Sequence, residues 1–363
     1  MGVLLMIQSA SSIRQDGYTY TELRSLLNAT LDAGLSALMR GHPGVGKSSL
    51  AQELAQARGL PLVDIRLAQR DPAELAGVYF PDHQRTCLSL YAPDWVKQVC
   101  EKPGLVFLDE LNSAVTRLHQ AAAYQIVLEH RVGPFIFHPD TLVLAAGNLA
   151  EDNAIVTELS SALCNRFVHY TLRVDTDCWL AWAQANGVDD AIIAYIARHG
   201  ASALYCNDGG DAFASPRTWA MAAQLYSRAP AVLQKRAVAA CVGLAAAKSF
   251  FSFQRIFKRV NAEKLICGGK TLDFTKGKSS EPSFMHAAVF SVAAWLRREA
   301  VIADEHLTNI VTFLSSPGLD AEYWFLFLRQ LKGHPDLLHR LKTVPAYRDV
   351  VSGLVDLHVG LYQ

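Results

Sequence analysis

The chain has 363 residues, 51% of them hydrophobic and 19% charged, a composition typical of a soluble globular protein with about two or three domains. Its formal net charge is zero. It therefore lacks the overall basic character that supplies most of the affinity for nucleic acids, which leaves room only for a local basic patch. The cysteines are scattered and the histidines form no metal-binding pattern, so a zinc site or a disulfide framework is disfavoured.

The N-terminal residues, MGVLLMIQSASS, lack the basic start and the long apolar stretch of a signal peptide. The longest apolar run, residues 237–247, is about half as long as a membrane-spanning helix. We therefore expect a cytoplasmic protein with no membrane span.

Strands and helices alternate in the first half of the chain. Apolar residues recur at helical spacing over residues 19–35, with Leu23, Leu27 and Leu31 on one face. Further helices are predicted at 48–58 and 117–128, and buried strands at 35–39, 62–67, 105–108, 142–146 and 167–172. This alternation predicts an α/β fold in which a parallel sheet is covered on both faces.

Beyond about residue 175 the strand pattern stops. Residues 179–260 are rich in Ala, Leu and aromatic residues at helical spacing, and residues 267–283 are a polar, glycine-containing linker. Helical patterning returns over residues 284–363, for example at 289–302 and 323–331. We divide the chain into an α/β nucleotide-binding core (1–175), a helical domain (176–262), and a linker with a helical C-terminal extension (263–363).

A glycine-rich loop lies between the first predicted strand and the next helix. Gly41-His-Pro-Gly-Val-Gly-Lys-Ser48 matches the pattern G-x-x-x-x-G-K-[ST]. Such a loop turns backbone N–H groups, and the positive end of the following helix, toward a polyphosphate. Lys47 would reach the β- and γ-phosphates and Ser48 would hold Mg²⁺. The predicted nucleotide-binding residues are His42, Pro43, Gly44, Val45, Gly46, Lys47, Ser48 and Ser49.

Two carboxylates follow the third predicted strand, in Leu105-Val-Phe-Leu-Asp109-Glu110. Ligands of open α/β sheets bind at the carboxyl ends of the strands, so both side chains are expected at that edge. Asp109 would contact Mg²⁺ directly or through water, and Glu110 would be the general base for an attacking water. An apolar run before Asp-Glu is a weak signal alone, but its place 62 residues after Lys47 strengthens it.

An amide and two arginines complete the candidate site. Asn148 follows the fourth strand and would orient water or touch the γ-phosphate, although a loop asparagine is the simpler interpretation of that residue alone. Arg166 precedes the fifth strand and is either a surface residue or an arginine finger for a neighbouring subunit. Arg217 follows Ser-Pro, either as an ordinary helix start or as a residue that approaches the γ-phosphate. For Arg131, in a predicted hairpin, a structural role is favoured.

In this order, the motifs resemble those of the AAA+ ATPases, and more narrowly those of the MoxR branch and its dynein-related relatives. The resemblance covers about residues 20–260 and rests on GHPGVGKS, DPAELAG, FLDELNSA, YQIVLEHRVG, AAGN, NRF and ASPR. It implies a P-loop AAA+ core with a five-stranded parallel sheet, a helical lid and a helical C-terminal extension. The corresponding roles are Walker A for Lys47 and Ser48, Walker B for Asp109 and Glu110, sensor 1 for Asn148, arginine finger for Arg166 and sensor 2 for Arg217.

The resemblance also implies cofactors and partners. These are ATP and Mg²⁺, a homo-oligomeric ring that is commonly hexameric, and a partner with a von Willebrand factor A domain or another client protein. The ATPase would remodel or activate that partner in a chaperone-like manner. Residues 80–91 lie where this branch carries a helix-2 insertion facing the central pore.

Other nucleotide-dependent functions fit less well. A GTPase switch is disfavoured because no [NT]-K-x-D guanine-reading motif is present. A small-molecule kinase has no need of a carboxylate such as Glu110 or of the two arginines. A nucleic-acid-linked AAA+ motor, a loader or a nuclease-associated ATPase, is the alternative. Zero net charge argues against it, and the segment KSFFSFQRIFK is better interpreted as an amphipathic helix than as a nucleic-acid-binding patch.

Overall fold

The structure is a computed structural model that describes residues 17–84, 86–113, 116–149, 152, 158–299, 301–331, 333–345 and 347. These residues form two compact units. The first contains the described residues up to Cys178 together with Asn207–Gly209 and Ser215–Arg217. The second contains Trp179–Cys206, Gly210–Ala214 and the described residues from Thr218 onward. The three-part division of the chain stays a prediction.

A five-stranded parallel sheet forms the centre of the first unit. In chain order the strands are β1 (Ala37–Gly41), β2 (Leu62–Arg66), β3 (Val78–Asp82), β4 (Cys87–Tyr91), β5 (Leu105–Asp109), β6 (Arg131–Val132), β7 (Phe135–Ile136), β8 (Leu142–Gly147) and β9 (Val168–Leu172). Five of them pair in the order β2-β5-β8-β1-β9, all in parallel. The predicted α/β fold class with a five-stranded parallel sheet is therefore confirmed.

The burial of the central strands explains why the sequence analysis could predict them from runs of apolar residues. All five residues of β5 are buried, as are all but one in each of the other two inner strands, β8 and β1. The edge strands β2 and β9 each have a single buried residue. Leu38, Val106 and Val143 belong to one hydrophobic cluster, so the three central strands share a core.

The helices of the first unit precede or connect the strands along the chain. They are α1 (Tyr20–Asp32), α2 (Lys47–Ala57), α3 (Pro72–Ala76), α4 (Asp94–Glu101), α5 (Arg117–Tyr124) and α6 (Ser161–Cys164). Helix α1 begins at a capping box formed by Thr19 and Glu22 and buries the predicted leucine face. The helix predicted at 117–128 ends earlier, because α5 passes into a π-helical turn, Gln125–Glu129.

Two antiparallel hairpins are inserted between these elements. Strands β3 and β4 lie between α3 and α4, the region in which the resemblance implies an insertion. The side chains of Tyr79, Phe80 and Tyr91 on this hairpin are all more than half exposed. Strands β6 and β7 form the second hairpin, which contains Arg131, and Arg131 lies beside Glu129.

The second unit is helical, as predicted. Its helices are α7 (Thr176–Ala185), α8 (Asp190–His199), α9 (Ala201–Leu204), α10 (Pro216–Arg228), α11 (Gln234–Val242), α12 (Leu244–Phe257), α13 (Ala262–Ile266), α14 (Pro282–Arg298), α15 (Asp304–Leu314), α16 (Ala321–Gln330) and α17 (Pro335–Thr343). The first residues of α7 and of α10 belong to the first unit. Helix α14 buries ten side chains and packs with Phe313 and Trp324 in one core. In the ranges that the structure describes, no helix is both long and apolar enough to span a bilayer.

Candidate functional site

The phosphate-binding loop joins the end of β1 to the start of α2. Gly44 and Gly46 have φ angles of 78° and 109°, which side chains with a Cβ rarely adopt. A Cβ on Gly44 would lie 2.8 Å from Ser215 Oγ, and one on Gly41 would lie 2.8 Å from Leu172 O. The glycines are therefore required both by backbone conformation and by space. Val45 is buried, Pro43 is half-buried and Ser49 is exposed on the first turn of α2.

Lys47 is a buried cation held by its own loop. Only 8% of its surface is exposed, and its Nζ donates to Gly41 O at 2.6 Å, to His42 O at 3.0 Å and to Asn148 Oδ1 at 3.1 Å. All three acceptors are neutral oxygens. Burial lowers the pKa of Lys47 to about 8, against the opposing effect of the carboxylates of Asp109 and Asp152. An anionic ligand would supply the counter-charge that the buried ammonium lacks among its hydrogen-bond partners.

The Asp109 carboxylate is fixed by two hydrogen bonds at the end of β5. Ser48 Oγ donates to Oδ2 at 2.8 Å, and the N–H of Glu110 donates to Oδ1 at 2.9 Å. Asp109 is 9% exposed. The structure thus brings the last residue of β5 together with the first turn of α2, as the motifs predict for a shared Mg²⁺ site.

Glu110 has a backbone conformation unusual for its residue type. Its φ angle is 57°, in the left-handed region, where a residue with a Cβ is strained by about 1 kcal/mol or more. The turn is held by the N–H of Leu111, which donates to Ala146 O at 2.8 Å, and by that of Ser113, which donates to Glu110 O at 2.9 Å. The Glu110 side chain is close enough to Lys47 for its charge to raise the Lys47 pKa. Backbone strain at a carboxylate beside a phosphate loop is a feature of functional sites.

Asn148 lies between the two motifs, because β8 is placed between β1 and β5. Its Oδ1 accepts from Lys47, and its Nδ2 donates to Ser113 Oγ at 3.4 Å. Both side-chain partners therefore come from the two motif segments. The amide is half-buried, as expected for a group that contacts both protein and ligand.

Two further residues at the site were missed by sequence reasoning. Asn112, only 6% exposed, exchanges two hydrogen bonds with the backbone of Asn148: its Nδ2 donates to Asn148 O at 2.8 Å, and Asn148 N–H donates to its Oδ1 at 2.9 Å. Asp152 Oδ1 lies 2.6 Å from His42 Nδ1 and fixes the imidazole on the loop. The segment FLDELNSA contains Asn112, which a buried polar residue next to Asp-Glu could have indicated. Nothing in the sequence around Asp152 signals its pairing with His42.

The two candidate arginines have different positions. Arg217 lies against the phosphate loop: its backbone N–H donates to Gly44 O at 3.2 Å, and its charge lowers the pKa of Lys47. Arg166 instead donates from Nη1 to Ala162 O at 3.0 Å, and its guanidinium carbon lies 4.7 Å from the ring centroid of Tyr124. Neither partner is a phosphate-loop residue. Tyr124 also lines a cavity of about 920 Å³ on this side of the first unit.

The residues present fit both groups that the motifs imply. A hydroxyl and a carboxylate oxygen, Ser48 Oγ and Asp109 Oδ2, lie together, and hard oxygen ligands are those that Mg²⁺ prefers. The loop offers glycines without obstructing Cβ atoms, the N-terminus of α2 and the buried ammonium of Lys47, which suit a polyphosphate. The site can therefore hold a magnesium–nucleotide complex, with Glu110 and Asn148 at the same edge.

Comparisons with known proteins find distant structural similarities. No curated protein matches the sequence. Among solved structures, a RuvB mutant from Thermotoga maritima is 15% identical, with 79% of this chain and 86% of that chain covered and a TM-score of 0.39. The Thermotoga maritima RuvB Holliday junction branch migration motor is also 15% identical, with coverages of 70% and 78% and a TM-score of 0.38. A Cytophaga hutchinsonii protein provisionally described as an ATPase is 13% identical, with 88% of both chains covered and a TM-score of 0.36.

The family comparison covers the site itself. Residues 37–171 match the sequence model of the AAA family, "ATPase family associated with various cellular activities". This range begins at β1 and ends in β9, so it contains the glycine loop, Asp109, Glu110, Asn148 and Arg166. Members of this family bind nucleotide, typically with Mg²⁺, hydrolyse ATP and are typically oligomeric. Residues 37–171 of the chain are therefore similar to the ATPase domain of the AAA family.

Proposed function

We propose that the chain is a ring-forming AAA+ ATPase of MoxR type, in which ATP hydrolysis drives the remodelling or activation of a partner protein. One observation carries the hydrolytic part. The loop lysine reaches Asn148 at 3.1 Å while the adjacent Ser48 reaches Asp109 at 2.8 Å. Three separate segments of the chain thus meet where a γ-phosphate would bind.

The chemistry assigned to this site is in-line attack of water on the γ-phosphate. Glu110 accepts a proton from the water, Asn148 orients that water, and Lys47 and Arg217 neutralise the charge that develops on the phosphate oxygens. Ser48 and Asp109 would hold Mg²⁺, which when bound adds positive charge beside the phosphates. Burial of Lys47 strengthens its attraction for the phosphates, since little water screens it.

Two substitutions test this assignment. Lys47→Ala should abolish nucleotide binding, while Glu110→Gln should bind ATP with nearly unchanged affinity and hydrolyse it about 100-fold or more slowly. Glu101→Gln, which removes an exposed carboxylate at the end of α4, is the control and should behave as wild type. Normal hydrolysis by Glu110→Gln would place the general base elsewhere.

We further propose that Arg166 acts on the nucleotide of a neighbouring subunit in a homo-oligomeric ring of six subunits. The contacts of Arg166 support this idea, because they are made with Ala162 and Tyr124 and not with a phosphate-loop residue. Arg166→Ala and Glu110→Gln should each be inactive alone, yet regain part of the activity when mixed, because each subunit then supplies what the other lacks. Arg173→Ala, an exposed arginine at the end of β9, is the matched control and should be active alone. Failure of the mixture, with mixed oligomers demonstrated, would contradict action in trans.

The partner-remodelling part rests on the resemblance of the motifs to the MoxR branch. A partner with a von Willebrand factor A domain, or another client, should bind the ATP-loaded Glu110→Gln variant and should not bind Lys47→Ala. The purified partner should then raise the ATPase rate of the wild-type protein. A partner that binds both variants equally, without changing the rate, would not be a client of the ATPase cycle.

A nucleic-acid-linked motor is the second candidate, because of one charge pattern. Residues 212–262 contain eight Lys or Arg and no Asp or Glu, although the whole chain is neutral. All eight of these basic residues are exposed, among them Lys248 and Arg255 on the same face of α12. Stimulation of the ATPase by DNA or RNA, lost at high salt and in Lys248→Glu/Arg255→Glu, would favour this candidate. Cytoplasmic localisation stays a prediction from the sequence.

A further inference from the structure

Asn112 and Asn148 exchange two hydrogen bonds, as paired residues of neighbouring β-strands do, but here the side-chain amide of Asn112 takes the place of a backbone. Strands β5 and β8 are paired up to Leu108 and Ala145. Beyond that point the Asn112 side-chain amide both donates to and accepts from the backbone of Asn148, at 2.8 and 2.9 Å. The backbone of Asn148 is therefore fixed from the segment that carries Glu110, although it lies beyond the paired part of its own strand.

Gly147 makes this contact possible. A Cβ at position 147 would lie 2.5 Å from Asn112 Oδ1 and 3.0 Å from Asn112 Cγ, far inside van der Waals contact. Its φ angle is not in the left-handed region, so the need for glycine here is spatial. The chain thus has a residue without a side chain where Asn112 approaches β8 most closely.

Asn112 lies outside hydrogen-bonding contact with the phosphate-binding residues, whereas Asn148 touches Lys47 directly. Both polar atoms of the Asn112 amide are used on the Asn148 backbone, which leaves the Asn148 side chain free to accept from Lys47 Nζ and to donate to Ser113. The same turn holds Glu110 in its left-handed conformation, through Leu111 N–H and Ala146 O.

We infer that Asn112 is a positioning residue for hydrolysis, which holds the amide of Asn148 at the γ-phosphate position in fixed register with Glu110. It acts only through Asn148 and does not contact the nucleotide. This inference rests on the proposed role of Asn148. A displacement of a catalytic group by about 1 Å lowers a rate by about 100-fold, so loss of this brace is expected to affect kcat far more than nucleotide affinity.

The test is a double-mutant cycle on kcat, with nucleotide affinity and Tm measured for each variant. Asn112→Ala and Asn148→Ala should each lower kcat by about 10- to 100-fold, with the dissociation constant for ATP changed less than about threefold. Adding Asn112→Ala to Asn148→Ala should cause no further loss of kcat, because the group being positioned is already gone. The matched control is Asn309→Ala in the second unit, which removes an asparagine bond to the backbone, Nδ2 to Ile266 O, and should leave kcat unchanged.

The outcomes separate this inference from the proposed function. If Asn148→Ala hydrolyses ATP normally, the role of Asn148 fails and the inference fails with it. If Asn148→Ala is slow while Asn112→Ala is not, or if the two losses multiply in the double variant, only the inference is overturned. Should Asn112→Ala fail to fold, Gly147→Ala displaces the Asn112 amide without removing it, and the same cycle with Asn148→Ala decides the question.

Discussion

Nucleotide binding should weaken steeply above pH 8, because the buried ammonium of Lys47 must be charged to bind phosphate. Burial lowers the pKa of Lys47 from 10.5 to about 8 in the protein without nucleotide. A shift of this size corresponds to about 3 kcal/mol of unfavourable charge burial at neutral pH. The phosphates would favour the charged form and raise the pKa again, so binding above pH 8 requires the uptake of a proton.

The magnitude follows from this linkage. If Lys47 is fully charged in the complex, the dissociation constant for nucleotide should rise about twofold by pH 8 and about tenfold from pH 7 to pH 9. The sign is fixed, because the fraction of free protein that carries the ammonium falls as pH passes through about 8. A titration with a non-hydrolysable ATP analogue, at saturating Mg²⁺ and constant ionic strength, measures this change. The phosphates of the analogue are almost fully ionised over most of this range.

Lys47→Arg is the matched control for the pH dependence. A guanidinium stays charged throughout the range, so whatever affinity this variant retains should not vary between pH 7 and pH 9. A wild-type dissociation constant that is flat over the same range would refute the reasoning, since Lys47 would then not titrate near pH 8. An equal rise in Lys47→Arg would assign the pH dependence to another group.

Three further predictions concern the loop and its carboxylates. The free energy of unfolding of Glu110→Gly should exceed that of Glu110→Ala by about 1 kcal/mol, because glycine tolerates the φ of 57° and alanine does not. Both variants should be inactive. Equal stabilities in urea titrations would mean that the turn is unstrained. Gly44→Ala should lower nucleotide affinity by at least about tenfold, since its Cβ meets Ser215 Oγ at 2.8 Å and its φ is 78°; unchanged binding would show that the loop adapts. Ser48→Ala should raise the Mg²⁺ concentration needed for half-maximal ATPase activity, as it removes an oxygen beside Asp109, and an unchanged requirement would exclude Ser48 as a ligand.

The central sheet could be predicted from sequence because its strands are buried on both faces. Strand β5 was recognisable since every residue in Leu105–Asp109 is buried, and burial selects apolar residues without alternation. The first strand was predicted at 35–39, too early by two residues, because Leu35 is apolar yet belongs to the turn that ends α1: it is 52% exposed, and its N–H donates to Thr30 O. Local composition cannot distinguish an apolar turn residue from the start of a strand.

The candidate site was predictable only where a motif is continuous in sequence. The glycine loop and Asp109-Glu110 each carry their pattern within a few residues. The pairing of Asn112 with Asn148 depends on the order β5-β8-β1, in which strands far apart in sequence become neighbours. The same is true of His42 and Asp152. Helix α14 also began earlier than expected, at Pro282, because a proline in the first turn and polar neighbours conceal a helix start.

The hydrogen bonds of Lys47 explain why Asn148 needs a brace that does not depend on its side chain. The ammonium donates to two loop carbonyls and to Asn148 Oδ1. In the proposed mechanism a γ-phosphate would compete for the same ammonium, so Asn148 would lose its hydrogen bond from Lys47 at the moment it has to orient water. Its backbone bonds to the buried Asn112 do not involve Lys47, so that exchange does not break them. The amide can therefore change partner without changing place, which is what a group that responds to the γ-phosphate requires.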